Sequence, residues 1–324
     1  MKTQTTLISS ISIAALMFLA APATFAKKHG GGGGGGDAEA HHRAGVGFVD
    51  AKQYDKAVEE FTKEVEAAPD NPESYKDRGM AYRAAGRAAM AANDGPAAAA
   101  RFSAAVADFS KVIELQPKNA LAYLERAQTE LAQIQYDAAI NDCNKALELK
   151  AEEGAAYKFR GFAYVGLRQW DKAVADFTAA IEKNPNDQQN YDQRALAYRN
   201  LNNFPAAIQD YTAAIEKNPN YQPEYARRGY TYALSEDYEK AIADYQQALK
   251  MEPNDQETQE RMKYAQGRLA AKNAPPATPT PTPAAPFFTP TKIFFGVIIL
   301  VVIAALVRLF TRGKPEQTSS TRIR

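Results

Sequence analysis

Proline recurs at 185, 219 and 253, a spacing of 34 residues, and each closes the same kind of phrase: AIEKNP, AIEKNP, ALKMEP. One period before Pro185 stands Ala151, and two periods before it stands Pro117. Pro69 precedes Pro117 by 48 residues, which is one period plus 14. A fixed period of this size restricts the architecture sharply. Each unit is one supersecondary element that cannot bury its apolar face alone, so it must stack on its neighbours.

On this frame the units run 38–71, 72–119, 120–153, 154–187, 188–221 and 222–255. Position 8 is small in every unit: Gly45, Gly79, Ala127, Gly161, Ala195 and Gly229. Position 20, counted past the insertion in the second unit, is always alanine: Ala57, Ala105, Ala139, Ala173, Ala207 and Ala241. Small residues at both places let two helices approach closely. Position 17 is aromatic throughout (Tyr54, Phe102, Tyr136, Trp170, Phe204, Tyr238), and position 28 is aliphatic (Val65, Ile113, Leu147, Ile181, Ile215, Leu249). Large and small residues alternating at helical spacing predict one α-hairpin per unit and an interlocked core.

With Tyr157, Gly161, Tyr164, Ala173, Phe177, Ala180 and Pro185 in the fourth unit, the pattern resembles the tetratricopeptide repeat family, over residues 38–255. The resemblance implies an all-α fold, a right-handed α-solenoid of helix-turn-helix repeats. A capping helix is expected at 256–272, with Met262, Tyr264 and Leu269 on its inner face.

The resemblance further implies a protein partner bound on the concave face, lined by the first helix of each unit. The candidate positions are Val46, Lys76, Met80, Arg83, Gln128, Lys158, Phe162, Asp192, Leu196, Arg199 and Tyr230. Cytosolic co-chaperones of the family grip a partner's C-terminal carboxylate with a Lys and Asn clamp. Position 9 here has no Asn, so the mixed apolar and charged groove suits an extended or helical peptide segment instead.

Departures from the pattern are local. The third unit has Glu130 in place of an aromatic, Cys143 in place of a large apolar residue and Ala151 in place of Pro, which predicts a looser junction to the fourth. The first unit carries His41 and Glu64 at usually apolar or small places, as expected where a terminal unit meets water. The extra 14 residues of the second unit fall around Asn93-Asp94-Gly95-Pro96, a turn signal flanked by alanine-rich stretches. They predict that both helices lengthen by about two turns and end in a protruding tip.

Charge narrows the function. The chain has 39 basic and 38 acidic residues, a net charge of +1, which offers no field to attract nucleic acid. Position 7 holds Arg78, Arg126, Arg160, Arg194 and Arg228, while position 23 holds Glu60, Asp108, Asp142, Asp176, Asp210 and Asp244. Opposite charges in register predict a ladder of ion pairs between helices rather than catalysis. No phosphate-cradling loop, nucleophile and base pair or ligand cluster is legible, so neither an enzyme nor a cofactor site is expected. His29, His41 and His42 have no Cys or carboxylate at ligand spacing, which speaks against a metal site. The lone Cys143 cannot form an internal disulfide.

The two ends read as targeting and anchoring segments. Lys2, an apolar run from Leu7 to Leu19 and small residues at Ala21, Ala23 and Ala26 predict a signal peptide over 1–26, followed by a glycine-rich leader over 27–37. A proline-rich linker is expected over 273–290, a transmembrane helix over 291–311 centred on Ile293–Phe310, and a basic tail over 312–324. Together with the lack of any Asn-x-Ser/Thr sequon, these predict a single-pass protein with a cytoplasmic tail and its repeats in a bacterial periplasm. The function expected on this reading is a membrane-tethered scaffold for protein-protein interaction. The alternatives are an accessory subunit of an envelope enzyme or secretion complex, or a self-assembling structural protein.

Overall fold

The computed structural model describes residues 36–150, 152–274 and 290–311. The expected signal peptide, most of the glycine-rich leader and of the proline-rich linker, and the basic tail lie outside these residues. Among the described residues there are 14 helices and no strand. They are α1 Gly36–Asp50, α2 Tyr54–Ala67, α3 Pro72–Ala91, α4 Gly95–Leu115, α5 Ala120–Ala132, α6 Tyr136–Glu148, α7 Glu153–Gly166, α8 Trp170–Lys183, α9 Gln188–Asn200, α10 Phe204–Lys217, α11 Gln222–Leu234, α12 Tyr238–Met251, α13 Gln256–Asn273 and α14 Pro290–Thr311. The helices α1 to α12 form six antiparallel pairs, each packed on the next.

The small residue at position 8 meets the side chain at position 24 of the same unit. A Cβ added at Gly45 would sit 2.6 Å from the Phe61 ring, and at Gly161 it would sit 3.0 Å from Phe177. In the third unit both sizes change together, and buried Ala127 packs with buried Cys143. All six position-20 alanines are fully buried. In the other five units the core is thus a row of aromatic rings laid over glycine or alanine.

Each helix pair turns through a left-handed residue at position 15: Lys52, Ile134, Arg168, Asn202 and Glu236, with Asn93 at the equivalent place at the tip of the insertion (φ 56–64°). Side chains at Asn71, Asp94, Asn119, Asp187, Asn203 and Asp237 cap the helices that follow them. Where Pro occupies position 32, the residue before it is kept out of the helical region and ends the second helix, as at Asn184 (φ −137°) and Asn218 (φ −142°). Ala151 imposes no such bar. There α6 ends through left-handed Lys150 (φ 57°) and Glu152 (φ 30°).

The charge ladder is present in full from the second unit onward. Arg78, Arg126, Arg160, Arg194 and Arg228 each fork onto both carboxylate oxygens of Asp108, Asp142, Asp176, Asp210 and Asp244, at 2.7–2.9 Å. Four of these arginines also donate backward to the preceding unit, to Ser110, Asn144, Thr178 and Thr212. Each lies 5.5–5.9 Å from the ring of the tyrosine three residues earlier, from Tyr75 to Tyr225. One guanidinium therefore pins the two helices of its own unit and the unit before it. The first unit lacks the arginine, and there Glu60 pairs with His41 at 2.7 Å.

The insertion lengthens α3 to 20 residues and α4 to 21, against 13 or 14 in the helices of the third to sixth units. Gly86 lies against the Phe102 ring and zips the extension together.

Three expectations are corrected. Tyr264 of the capping helix faces outward at 59 % exposure, and Ala265 takes the inner place beside Met262 and Leu269. Glu64 does not meet water, being 4 % exposed, because Ser74 and His42 hold it inside the junction of the first two units. The expected transmembrane anchor is overturned: among the described residues no helix is long and apolar enough to cross a membrane. The single-pass localisation falls with it.

Candidate functional site

The first helices of units two to six, α3, α5, α7, α9 and α11, together with α13, line one continuous channel of about 1450 Å³. Of the residues expected to contact a partner, Lys76, Met80, Arg83, Gln128, Lys158, Phe162, Asp192, Leu196, Arg199 and Tyr230 line it, and Val46 does not. Val46 packs against the core of the first hairpin.

The apolar members are largely committed to packing. Met80 (4 % exposed) joins Ala105 and Phe109, while Phe162 (7 % exposed) meets the edge of Phe177 at 5.5 Å with Leu196 alongside. Tyr230 is held between the guanidinium groups of Arg199 (5.2 Å) and Arg261 (4.7 Å). The charged members are mostly paired: Lys158 with Asp187 at 2.7 Å, Lys76 with Glu73, and Arg83 with Glu125. One turn beyond Arg83, Arg87 has no carboxylate at ion-pair distance among the described residues. Burial and the neighbouring Arg83 cation lower it to about 10.

At the fifth and sixth units the channel changes character. Position 3 is alanine in the third and fourth units, where Ala122 and Ala156 are buried at 3 % and 0 % exposure. In the next two units the same position holds Asn190 (2 % exposed) and Glu224 (1 % exposed). Asp192 bonds Arg227 at 2.7 Å and accepts from Gln193 at 2.8 Å, and Glu224 accepts from Gln188 at 3.1 Å.

Four polar atoms here are buried without a hydrogen-bond partner: Asn190 Oδ1, Gln193 Oε1, Glu224 Oε2 and the Tyr211 hydroxyl. Their four side chains all line the channel. Burial, reinforced by the Asp192 carboxylate, pushes Glu224 up to about 9. Burial also raises the Tyr211 phenol. A protonated Glu224 and the Tyr211 hydroxyl supply donors, and the two amides supply donors and acceptors, so the wall can meet a backbone or a polar side chain.

Sequence reasoning missed Asn190, Gln193, Tyr211, Glu224, Arg227 and Arg87. The signal was available: polar residues at positions 3 and 6 of the last two units, where the fourth unit has Ala156 and Phe159.

A second cluster lies away from the channel. His42 Nδ1 lies 3.3 Å from Glu64 Oε2 and 3.2 Å from Asp77 Oδ2. The histidine was expected to lack carboxylates. Folding supplies them from 22 and 35 residues further along the chain.

The tetratricopeptide repeat family matches residues 42–94, 83–155, 160–221 and 223–255, well over half of the sequence. The chain belongs to that family. No curated protein matches it.

Among solved structures, PilF of Pseudomonas aeruginosa is similar with a TM-score of 0.56 at 15 % identity, over 70 % of this chain and 97 % of that one. The Cut9-Hcn1 hetero-tetramer of APC/C is similar with a TM-score of 0.55 at 14 % identity, over 71 % of this chain and 43 % of that one. YrrB, described as a TPR protein with an unusual peptide-binding site, has a TM-score of 0.49 at 24 % identity, over 63 % of this chain and 97 % of that one. These likenesses concern the fold.

Proposed function

We propose that the chain is a scaffold that binds a segment of another protein in the channel lined by α3, α5, α7, α9, α11 and α13. The observation that carries this reading is the set of four buried, unpartnered polar atoms on Asn190, Gln193, Tyr211 and Glu224. Leaving such atoms unpaired costs about 1–3 kcal/mol each. A fold that places alanine at position 3 of two other units has no packing need for Asn190 and Glu224 there. A bound segment that pairs them recovers that cost and is selected for its polarity.

Arg87 supports a polar partner from the other end of the channel, since it is a half-buried cation without an ion-pair partner among the described residues. The segment that fits best presents amide or hydroxyl groups toward the fifth and sixth units and a carboxylate toward the second.

Photo-crosslinking tests this. A benzophenone residue at Gln128, in the channel, is expected to capture a discrete protein from the source cell. The same group at Lys111, outside it, is expected to capture none. Equal capture from both positions would remove the channel from the account.

A further inference from the structure

His42, Glu64 and Asp77 come from α1, α2 and α3, so one cluster joins both helices of the first unit to the second. One ligand atom from each lies within 4.8 Å of the others. Glu64 and Asp77 are 4 % and 2 % exposed, and the His42 side chain is 13 % exposed.

Charge is out of balance here. Among the described residues no lysine or arginine lies at ion-pair distance from either carboxylate; Lys76 is spent on Glu73. A neutral His42 leaves two negative charges inside the junction, and a protonated one leaves one. Buried charge of this kind is either removed by a retained proton or held by a compensating cation, and one dication compensates both carboxylates at once. Asp77 Oδ1 is in addition buried without any partner.

The distances point the same way. His41, one residue away on α1, makes a hydrogen bond of 2.7 Å with Glu60 of α2. His42 stands off at 3.2 and 3.3 Å from its two carboxylates. Three ligands on a tetrahedral centre with bonds of about 2.0–2.2 Å lie about 3.3–3.5 Å apart, so the two His42 separations also fit groups facing a shared ion.

A supporting shell is in place. Glu64 Oε1 accepts from the Ser74 hydroxyl at 2.9 Å, and that hydroxyl accepts from Asn71 at 3.0 Å, which fixes the carboxylate's orientation.

We propose that His42 Nδ1, Glu64 and Asp77 bind one divalent transition-metal ion of the zinc class, with solvent as fourth ligand, as a clasp that locks the terminal repeat onto the second. Zinc charge of +2 on a neutral imidazole and two carboxylates leaves the junction neutral. The mixed nitrogen and oxygen donors suit zinc over calcium or magnesium, which take oxygen alone. The burial of Glu64 and Asp77, at the junction of the first two units, assigns the ion a structural role.

The test uses the purified full-length chain, stripped with chelator and titrated with Zn²⁺ against a chromophoric competitor, with Co²⁺ absorption as a second probe. One equivalent should bind, and the melting midpoint should rise with Zn²⁺ and fall back with EDTA. His42→Gln and Asp77→Asn should each weaken binding at least tenfold, while His41→Gln leaves it unchanged. Helical circular dichroism shows that each variant is folded, and Glu64→Gln serves where Asp77→Asn is not. Absence of binding at micromolar Zn²⁺ would overturn the proposal. So would equal affinity in wild type, His42→Gln and Asp77→Asn, which would place the ion elsewhere.

Discussion

Arg194 and Asp210, 16 residues apart, meet as a two-pronged fork with both bonds at 2.8 Å, and the same guanidinium reaches back 3.0 Å to Thr178 of the preceding unit. One side chain thus closes a hairpin and joins it to its neighbour, and the motif recurs through Arg228 and Asp244.

A lysine cannot form this fork. Arg194→Lys keeps the charge yet loses one carboxylate bond and the contact to Thr178, and should cost about 1–2 kcal/mol in denaturant unfolding. Lys111→Ala, which removes an exposed pair with Glu114, should leave unfolding unchanged. Equal effects would mean that the ladder contributes no more than a surface pair.

Glycines divide by what faces them. A Cβ at Gly166 would lie 2.2 Å from the Tyr136 ring, so Gly166→Ala forces the ring aside and should destabilise by about 1–3 kcal/mol. Nothing lies within 4 Å of a Cβ at Gly267, inside α13. There Gly267→Ala should stabilise by about 0.5–1 kcal/mol, since alanine gives up less backbone entropy in a helix. Thermal unfolding of the two variants should move in opposite directions.

Glu130 is buried in the third unit with one oxygen unpartnered, and desolvation together with the Asp142 carboxylate pushes it up to about 7. The folded chain therefore holds its proton between the ordinary glutamate value of 4.5 and about 7, while the unfolded chain releases it. Folding binds the proton over that window, so its contribution to stability falls as pH rises through it. Glu130→Gln has no proton to lose. The stability gap favouring the variant should open between pH 4.5 and 7 and reach up to about 2 kcal/mol once solvent screening is allowed for. A gap independent of pH would show that the carboxyl is not the cause.

Much of the fold was legible because its determinants recur in register. Small residues at position 8 and alanine at position 20 each report one contact six times over, and the Arg and Asp columns report another five times over, the ladder pairing five of the six acidic positions with arginine. What repetition could not show is what happens once. The His42 cluster draws on residues 22 and 35 places away that no spacing rule connects. The orphaned polar groups of Asn190 and Glu224 were visible only as exceptions to an alanine column, and their burial depends on how the fifth and sixth units stack. Tyr264 was misplaced because α13 has no following repeat to fix which face turns inward.

The central claim is that the fifth and sixth units carry polar groups for a partner at the expense of their own packing. Its most direct measurement compares wild type with an Asn190→Ala, Glu224→Ala double variant, which restores the residue found at Ala122 and Ala156. Melting midpoint and affinity for the crosslinked partner are read on the same samples. The account predicts a midpoint that rises, because two buried polar groups are removed, and an affinity that falls at least tenfold. A variant that binds the partner as tightly as wild type would contradict it.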